Sequence, residues 1–389
     1  MIGIKESKKA FKEAFKTGAN RFFFSPGRVE IIGNHTDHNL GQAIAACLDR
    51  GITAAVKKNN DDCIQITSVG YRPFTFYTDE LEYDESEKGS TLALAKGVLR
   101  AMKDRGFKIG GFQAALMSDI QPGSGLSSSA SIECLIAKIE DDLYNGGKME
   151  PGVMAEICRY AENTYFGKPC GLLDQSAIAF GGINLLDFSS GSGVKCTPLK
   201  YEMQLRCVLV NTGSSHQGLD HLYAAIPQAM RHVATNLLGV NYLGQATAEQ
   251  FMRSVSVPNL SVAEGAKLMA QHFYDECERV KAVQKALEIN DTFTFLQKIR
   301  ESQVSMAGFL HNTMIPGQYT HSPQQAVDLA DKFAIKGAAR MSGGGFAGSV
   351  LCYVYNSDIE KFIRALGSYY GIENVYEIKF LDHGPKEIK

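Results

Sequence analysis

The sequence has 389 residues, more than a single hydrophobic core usually holds, so we expect two or three domains. Forty basic and 42 acidic residues give a formal net charge of -2, which argues against DNA or RNA as the main partner. The nine cysteines include no Cys-x-x-Cys pair, no apolar run reaches the length of a membrane span, and the lysine-rich N-terminus does not resemble a signal peptide. These features predict a cytoplasmic protein without structural zinc, a disulfide framework or a membrane partner.

In the first part of the chain, apolar patterns predict helix and strand in a mixed order. Residues 7–17 predict a short amphipathic helix. Apolar runs at 21–24, 42–56 and 111–117 predict strands. A polar, glycine-containing turn at 33–41 separates the first two of these strands.

Two helices are predicted after the strand at 111–117. One is indicated by apolar side chains spaced three and four residues apart, namely Ile132, Leu135, Ile136, Ile139 and Leu143. The other starts at Pro151, because proline is favoured at the first helical position, and it runs to about Tyr165.

The second half of the chain begins near a predicted strand at 205–210, becomes mostly helical over 220–311 and returns to a strand at 349–355. Helices and strands do not alternate regularly, so the α+β class is favoured over a doubly wound sheet.

The serine- and glycine-rich segment 189–204 is the best candidate for a domain boundary. It predicts an N-terminal α+β domain of residues 1–204 and a C-terminal α+β domain of residues 205–389.

The strongest local signal is a glycine- and serine-rich loop, residues 121–131, between a predicted strand and a predicted helix. Small residues let a phosphate chain approach the backbone, and the helix N-terminus offers unpaired N–H groups. A flexible surface turn with a serine N-cap is the alternative. The loop has no lysine and is not a Walker-type site, so a metal must supply more of the countercharge. The residues predicted to surround the phosphates are Gly123, Ser124, Gly125, Leu126, Ser127, Ser128, Ser129 and Ala130.

Two further motifs flank this loop in the sequence. Residues 26–41 form a turn rich in Arg, Asn, His and Asp, side chains that suit the hydroxyls of a polyol. A metal site at His35, Asp37 and His38 is a weaker alternative, because adjacent residues rarely converge on one ion without distant partners. Residues 341–348 contain Gly-x-Gly-x-x-Gly, but a strand is predicted after them, so they do not fit a dinucleotide fingerprint.

These motifs resemble those of one kinase superfamily, which includes galactokinase, homoserine kinase, mevalonate kinase and phosphomevalonate kinase. The loop at 121–131 resembles its nucleotide loop, and residues 341–348 resemble its third motif. Residues 26–41 resemble the galactokinase signature Gly-Arg-Val-Asn-Leu-Ile-Gly-Glu-His-Thr-Asp-Tyr-Asn. Residues 161–175 resemble a galactokinase run that ends in Pro-Cys-Gly-Ile-Met-Asp-Gln.

The resemblance implies a two-domain kinase with its active site between the domains, which transfers the γ-phosphoryl group of ATP to the C1 hydroxyl of galactose with Mg²⁺. Asp174 matches the catalytic aspartate, although aspartate is also favoured at a helix N-cap. Arg28 matches the catalytic arginine, although a lone arginine is more often a simple ion-pair partner. Ser129 and Glu162 match the Mg²⁺ ligands.

The resemblance also places five residues at the sugar: Asn34, His35, Asp37, Gly171 and Tyr223. Tyr223 and His216 keep the seven-residue spacing of the family. Three departures are visible. Galactokinases commonly have Glu at the position of Asn34 and Tyr at that of His38, and residues 92–98 lack the Asn-Tyr pair usual before Lys-Gly.

Two alternative functions remain at this stage. One is a kinase for a related sugar, such as N-acetylgalactosamine, galacturonate or L-arabinose, since single pocket residues distinguish these from galactose. The other is a non-catalytic galactose sensor on a kinase scaffold. An interrupted serine loop or a lost Asp174 would favour the sensor, and both features are intact.

Overall fold

The computed structural model describes residues 3–121, 123–191, 193–214, 218–257, 261–334 and 336–389. The helices in these ranges are α1 (Ile4–Phe15), α2 (Thr91–Asp104), α3 (Ser128–Glu140), α4 (Pro151–Tyr160), α5 (Leu173–Phe180), α6 (Asp220–Leu237), α7 (Ala248–Val255), α8 (Glu264–Ile289), α9 (Thr292–Ser305), α10 (Pro323–Phe333) and α11 (Ile359–Tyr370). The strands are β1 (Arg21–Ile32), β2 (Gln42–Lys58), β3 (Cys63–Ser68), β4 (Phe74–Tyr77), β5 (Phe112–Ser118), β6 (Ile183–Asp187), β7 (Lys195–Leu199), β8 (Leu205–Asn211), β9 (Ala338–Ser342), β10 (Ser349–Tyr355), β11 (Val375–Ile378) and β12 (Lys386–Ile388).

The α+β class is confirmed, and the segments with the clearest patterns adopt the predicted structure. The predicted strands correspond to β1, β2, β5, β8 and β10. The helix predicted from Pro151 is α4 followed by a π-type turn at Ala161–Phe166, and the long helical region contains α6 to α9. Strand β1 extends well beyond the predicted 21–24, because residues 26–32 continue to pair with β2.

The larger sheet, eight-stranded within the described ranges, has the order β12-β1-β2-β5-β3-β4. Strand β6 pairs with the first part of β2, and β7 pairs with β6. Successive side chains of β1 point to opposite faces. Phe23 therefore packs in the main core with Ala54, whereas Phe22 packs with Ala55 and with Phe11 of α1.

The smaller sheet is antiparallel and has the order β11-β8-β10-β9. One face carries Val208 and Val350 and is covered by α10 and α11. The other face carries Leu209 and Leu351 and packs on Phe295 of α9 as part of the main core. The two sheets are thus joined through one continuous apolar interior.

The C-terminal strand crosses the predicted domain boundary. Strand β12 pairs antiparallel with β1, and Arg21 Nε donates to Glu387 Oε1 at 2.7 Å. The predicted division at 204/205 separates the strands of the two sheets, except that β12 of the larger sheet follows the division. Apolar patterning could not identify β12 because the strand is short and exposed. Across the described ranges, no helix combines the length and the apolar character of a membrane span.

Candidate active site

Arg28 points toward the glycine-serine loop that precedes α3, because strand β1 is irregular at this position. The pairing of β1 with β2 shifts register between Pro26 and Arg28, and proline has no N–H group to leave unpaired at such a bulge. A Cβ atom on Gly27 would lie 2.9 Å from Leu126 O, so only glycine fits this close approach. Arg28 N donates to the same carbonyl at 3.2 Å. The bulge thus ties β1 to the loop that precedes α3.

Arg28 and Asp174 form a two-point ion pair. Arg28 Nε donates to Oδ1 and Nη2 donates to Oδ2 of Asp174, both at 2.7 Å. Asp174 lies in the first turn of α5, whose N-cap is Leu172, so the N-cap alternative for Asp174 is wrong. The Arg28 side chain is 6% exposed and that of Asp174 is 29% exposed. The carboxylate is therefore the outer member of the pair.

Each member of this pair keeps the other ionised. Burial alone would raise the pKa of Asp174, but Arg28 and the Ser127 hydroxyl outweigh it and hold the pKa below that of an ordinary aspartate. Burial also acts to lower the pKa of Arg28, and Asp174 more than compensates. Asp174 is consequently an ionised hydrogen-bond acceptor at neutral pH.

The glycine-serine loop surrounds the pair. Arg28 Nη1 donates to Gly125 O at 2.7 Å, and Gly125 has a φ of +71°, which glycine adopts without strain. The Ser127 hydroxyl donates to Asp174 Oδ2, so this residue of the predicted phosphate-binding loop also contacts the catalytic candidate. The first turn of α3 contains no acidic side chain, and Ser128 is exposed there. A helix N-terminus of this kind favours an anion.

Ser129 and Glu162, the predicted Mg²⁺ ligands, are brought together by α3 and the turn after α4. Ser129 Oγ donates to Glu162 Oε1 at 2.8 Å, and the Glu162 side chain is only 2% exposed. Two side-chain oxygens beside the glycine-serine loop are the kind of ligand that suits a Mg²⁺ ion. In the part of the chain that is described, no group of three or more His, Cys, Asp or Glu side chains could hold a metal ion by itself.

Three residues to which sequence analysis gave no role surround Glu162. Lys168 Nζ lies 3.3 Å from Glu162 Oε1, and Gln175 Nε2 donates to Oε2 at 2.6 Å. Gln175 Nε2 also lies 3.2 Å from Glu133 Oε2. Burial raises the pKa of Glu133 well above its ordinary value, whereas the charge of Glu162 raises the pKa of Lys168. The only signal in the sequence was that Lys168 and Gln175 lie within the 161–175 motif.

His35, predicted at the sugar, is fixed by a chain of hydrogen bonds. The Asn39 amide donates to His38 Nδ1 at 2.8 Å, so His38 carries its proton on Nε2 and donates to His35 Nδ1 at 3.0 Å. His35 Nε2 then donates to Gly344 O at 3.0 Å. Burial lowers the pKa of His35 and lowers that of His38 further, which keeps both rings neutral.

Asn34 lies behind the site and not at its surface, which corrects the expectation of a direct sugar contact. The residue is fully buried, and its amide nitrogen donates to Glu30 Oε1 at 3.2 Å and to Gly343 O at 2.7 Å. Asn34 Oδ1 accepts from Asn312 Nδ2 at 2.9 Å. These protein groups occupy the donors and an acceptor that a sugar would need.

Glu30, which contacts Asn34, belongs to a buried ionic cluster. Arg340 Nη2 donates to Glu30 Oε1 at 2.6 Å and lies 3.5 Å from Glu276 Oε1. Burial would raise the pKa of Glu276, but the positive charge of Arg279, followed by His272 and Arg340, lowers it to about 2. The cluster joins β1, in the first half of the chain, to β9 and α8, which are both in the second half.

Asp37 faces the turn that leads into α5. Leu173 N donates to Asp37 Oδ2 at 3.4 Å, and a Cβ atom on Gly171 would lie 1.7 Å from that oxygen. Only glycine therefore fits at 171. Burial, followed by the charge of Asp174, raises the pKa of Asp37. The structure thus brings Asp37, Gly171 and Asp174 to one place.

Tyr223 reaches the site from α6. A Cβ atom on Gly344 would lie 2.8 Å from the Tyr223 ring, whose hydroxyl donates to Gly345 O. A Cβ atom on Gly343 would lie 3.6 Å from Arg28 Nη2. The glycine loop at 343–348 is therefore next to both the 26–41 segment and the glycine-serine loop. His216, whose spacing to Tyr223 was noted, lies outside the described residues.

Comparison with known proteins defines the class first. Residues 93–182 match the family model described as the GHMP kinases N terminal domain. The structure of Lactococcus lactis galactokinase complexed with galactose has a TM-score of 0.86 at 24% identity, covering 99% of this chain and 100% of that one. The Methanococcus jannaschii mevalonate kinase has a TM-score of 0.66 at 16% identity, with 93% and 99% covered. The fold is that of the galactokinase and mevalonate kinase structures, the two-domain α+β fold of small-molecule kinases.

Sequence similarity then gives the family. Residues 9–58 match the model described as the galactokinase galactose-binding signature. The galactokinase of Fusobacterium nucleatum is 31% identical, with 98% of each chain covered. The galactokinase of Clostridium beijerinckii is also 31% identical, with 98% of this chain and 97% of that one covered. The chain belongs to the galactokinase family.

Proposed function

We propose that the chain transfers the γ-phosphoryl group of ATP to the C1 hydroxyl of D-galactose and produces galactose 1-phosphate and ADP. The observation that carries the proposal is the Arg28–Asp174 pair, held by two bonds of 2.7 Å beside the phosphate loop. The names of the full-length relatives support galactose over N-acetylgalactosamine, galacturonate or L-arabinose.

Asp174 acts on the acceptor. Its ionised carboxylate accepts the hydrogen bond of the C1 hydroxyl and orients that oxygen toward the γ-phosphorus. As the new O–P bond forms, the bond from the γ-phosphorus to the β–γ bridging oxygen breaks and ADP keeps the electron pair. The hydroxyl proton passes to Asp174 and then to water, and the low pKa of Asp174 makes its stay on the carboxylate brief. Arg28 offsets the negative charge of both Asp174 and the phosphoryl group in transit.

The phosphates of ATP lie against residues 123–130, where the N–H groups of the first turn of α3 are the donors. Ser129 and Glu162 would hold Mg²⁺ there. When bound, this ion neutralises charge on the β- and γ-phosphates.

The sugar contacts His35, Asp37, the backbone at Gly171 and Tyr223. Asn34 contributes indirectly, since its amide holds the Gly343 carbonyl and the end of β1 in place. Residues 1–204 supply the sugar signature and the phosphate loop, and the second domain supplies the glycine loop, so the site lies between the two domains.

The experiment is ATP turnover by the purified chain against galactose, N-acetylgalactosamine, galacturonate and L-arabinose, with the phosphate position in the product assigned by NMR. We expect galactose 1-phosphate to be formed with the highest kcat/KM. A higher kcat/KM for another of these sugars would identify the related-sugar kinase, and galactose binding without ADP formation would identify the sensor.

A further inference from the structure

Lys168 lies in the segment that joins the turn after α4 to α5. Its backbone N–H donates to Glu162 O at 3.1 Å, and Gly167 before it has a φ of +80°. This tight turn folds the Lys168 side chain back over Glu162 and toward the phosphate loop.

The Lys168 ammonium group meets the side chain that is proposed to bind the metal. Lys168 Nζ lies 3.3 Å from Glu162 Oε1, the same oxygen that accepts from Ser129 Oγ at 2.8 Å. The Lys168 side chain is 45% exposed, whereas that of Glu162 is 2% exposed. The Lys168 side chain is therefore the more exposed member of this pair, and Glu162 the buried one.

Positive charge is otherwise scarce around the predicted triphosphate position. Residues 123–130 contain no lysine or arginine. Arg28 donates to both oxygens of Asp174 and to Gly125 O, so three of its N–H groups are already used. The Lys168 ammonium group, by contrast, contacts the carboxylate of the buried Glu162 and is carried by a flexible four-carbon stem.

We propose that Lys168 is a further catalytic residue of this kinase, which binds a terminal phosphate oxygen of ATP. Without nucleotide, the Lys168 ammonium group pairs with Glu162. When nucleotide is bound, the ammonium group leaves the Glu162 carboxylate and contacts the phosphate, and Glu162 is then free to act as a metal ligand. The inference rests on the proposed function for the identity of the nucleotide, and it supplies countercharge that the loop sequence lacks.

The test compares Lys168→Met, which keeps the stem and removes the charge, with Lys168→Arg, which keeps the charge. Binding of the non-hydrolysable analogue β,γ-methylene-ATP is measured by calorimetry with and without Mg²⁺, alongside kcat and the two KM values. We expect Lys168→Met to weaken analogue binding and to lower kcat/KM for ATP at least about tenfold, because a charged hydrogen bond is lost. The KM for galactose changes less than about twofold, and Lys168→Arg recovers most of the loss.

Lys281→Met is the matched control, since Lys281 pairs with Glu278 at 2.7 Å on the exposed face of α8. Unchanged analogue affinity and kcat in Lys168→Met, with only a lower Tm, would show that the ion pair is structural and would overturn the proposal. Analogue binding needs no sugar. If the wild-type chain binds the analogue but does not phosphorylate galactose, the result contradicts the proposed function and not the proposal for Lys168. A wild-type chain that does not bind the analogue fails both.

Discussion

Two of the arginine–carboxylate pairs to which strand β1 contributes lie close together, and burial separates their roles. Arg28 and Glu30 are two residues apart, so their side chains leave the same face of the strand. Arg28 pairs with Asp174 at 2.7 Å, and Glu30 pairs with Arg340 at 2.6 Å. Asp174 keeps 29% of its side chain exposed, whereas Arg340 and Glu30 keep 1% and 5%.

The difference shows why similar ion pairs serve different purposes. The first pair leaves its carboxylate partly exposed, where the proposed function needs it to meet a hydroxyl, and the arginine keeps that carboxylate ionised. The second pair is enclosed by protein groups, including Ser302 Oγ, which accepts from Arg340 Nε at 2.9 Å. Removing one partner of the first pair is expected to affect catalysis, and removing one partner of the second is expected to affect folding.

The largest expected effect is that of Asp174→Asn. Asparagine keeps the shape but carries no charge and accepts no proton, so we expect kcat to fall by about 10²–10⁴-fold while ATP and galactose binding stay measurable. Steady-state kinetics and calorimetry check this. Asp275→Asn is the control, since Asp275 accepts a bond from Gln271 on α8. If Asp174→Asn kept more than about a tenth of kcat, Asp174 would not take part in the chemistry.

Arg340→Met breaks the enclosed pair and leaves Glu30 and Glu276 without their shared cation. We expect the free energy of unfolding to fall by about 3–5 kcal/mol, the usual result of stranding a buried charge. Urea unfolding measures it. Arg364→Met, which breaks an exposed pair with Glu360, is expected to cost at most about 1 kcal/mol. Equal losses in the two variants would mean that the buried cluster does not stabilise the fold.

Asn34→Glu tests the connection between the two regions. The new carboxylate would face Glu30, because Asn34 Nδ2 now donates to Glu30 Oε1 at 3.2 Å. We expect a loss of about 1–3 kcal/mol in unfolding free energy, and recovery of most of it when Glu30→Asn is added, since the exchange restores one amide and one carboxylate.

Sugar specificity of the same variants shows whether Asn34 acts from behind the site. We expect the ratio of kcat/KM for galactose to that for galacturonate to stay within about twofold in the doubly exchanged variant. A selective loss of galacturonate activity would instead mean that residue 34 faces the C6 end of the sugar.

The smallest expected effect is a pH dependence of stability that comes from His272. Its Nε2–H donates to Asn34 O at 3.0 Å, and its Nδ1 accepts from Ser305 Oγ at 2.8 Å. Burial lowers the pKa of His272 to about 4, against the opposing charge of Glu276. The unfolded chain takes up this proton below about pH 6.5 and the folded chain does not, so stability is full above that pH and falls toward pH 4.

The matching measurement is urea unfolding of wild type and His272→Gln between about pH 7 and pH 5. We expect the wild type to lose up to about 1.4 kcal/mol per pH unit more than the variant in this window. Parallel pH profiles would mean that His272 is protonated in the folded protein.

The sequence alone was sufficient for the α+β class, the strongly patterned elements and the family. Apolar periodicity is a local property, so strands such as β5 and helices such as α3 and α4 could be located from short windows. The motifs at 26–41, 121–131 and 341–348 could be identified for the same reason, because backbone turns and close approaches demand particular residues at fixed spacings. Short strands at sheet edges, such as β12, carry too few residues to form a pattern.

The tertiary structure decided what each polar side chain does. Ser127 was predicted to bind phosphate, and in the structure its hydroxyl contacts Asp174. Asn34 was predicted to contact the sugar and is buried. Lys168 had no predicted role and contacts Glu162. A polar residue near a motif can face a ligand, a partner or the interior, and the sequence around that residue does not distinguish these outcomes. The choice depends on contacts between groups far apart in the chain, such as Glu30 with Arg340, and on the exposure that those contacts leave.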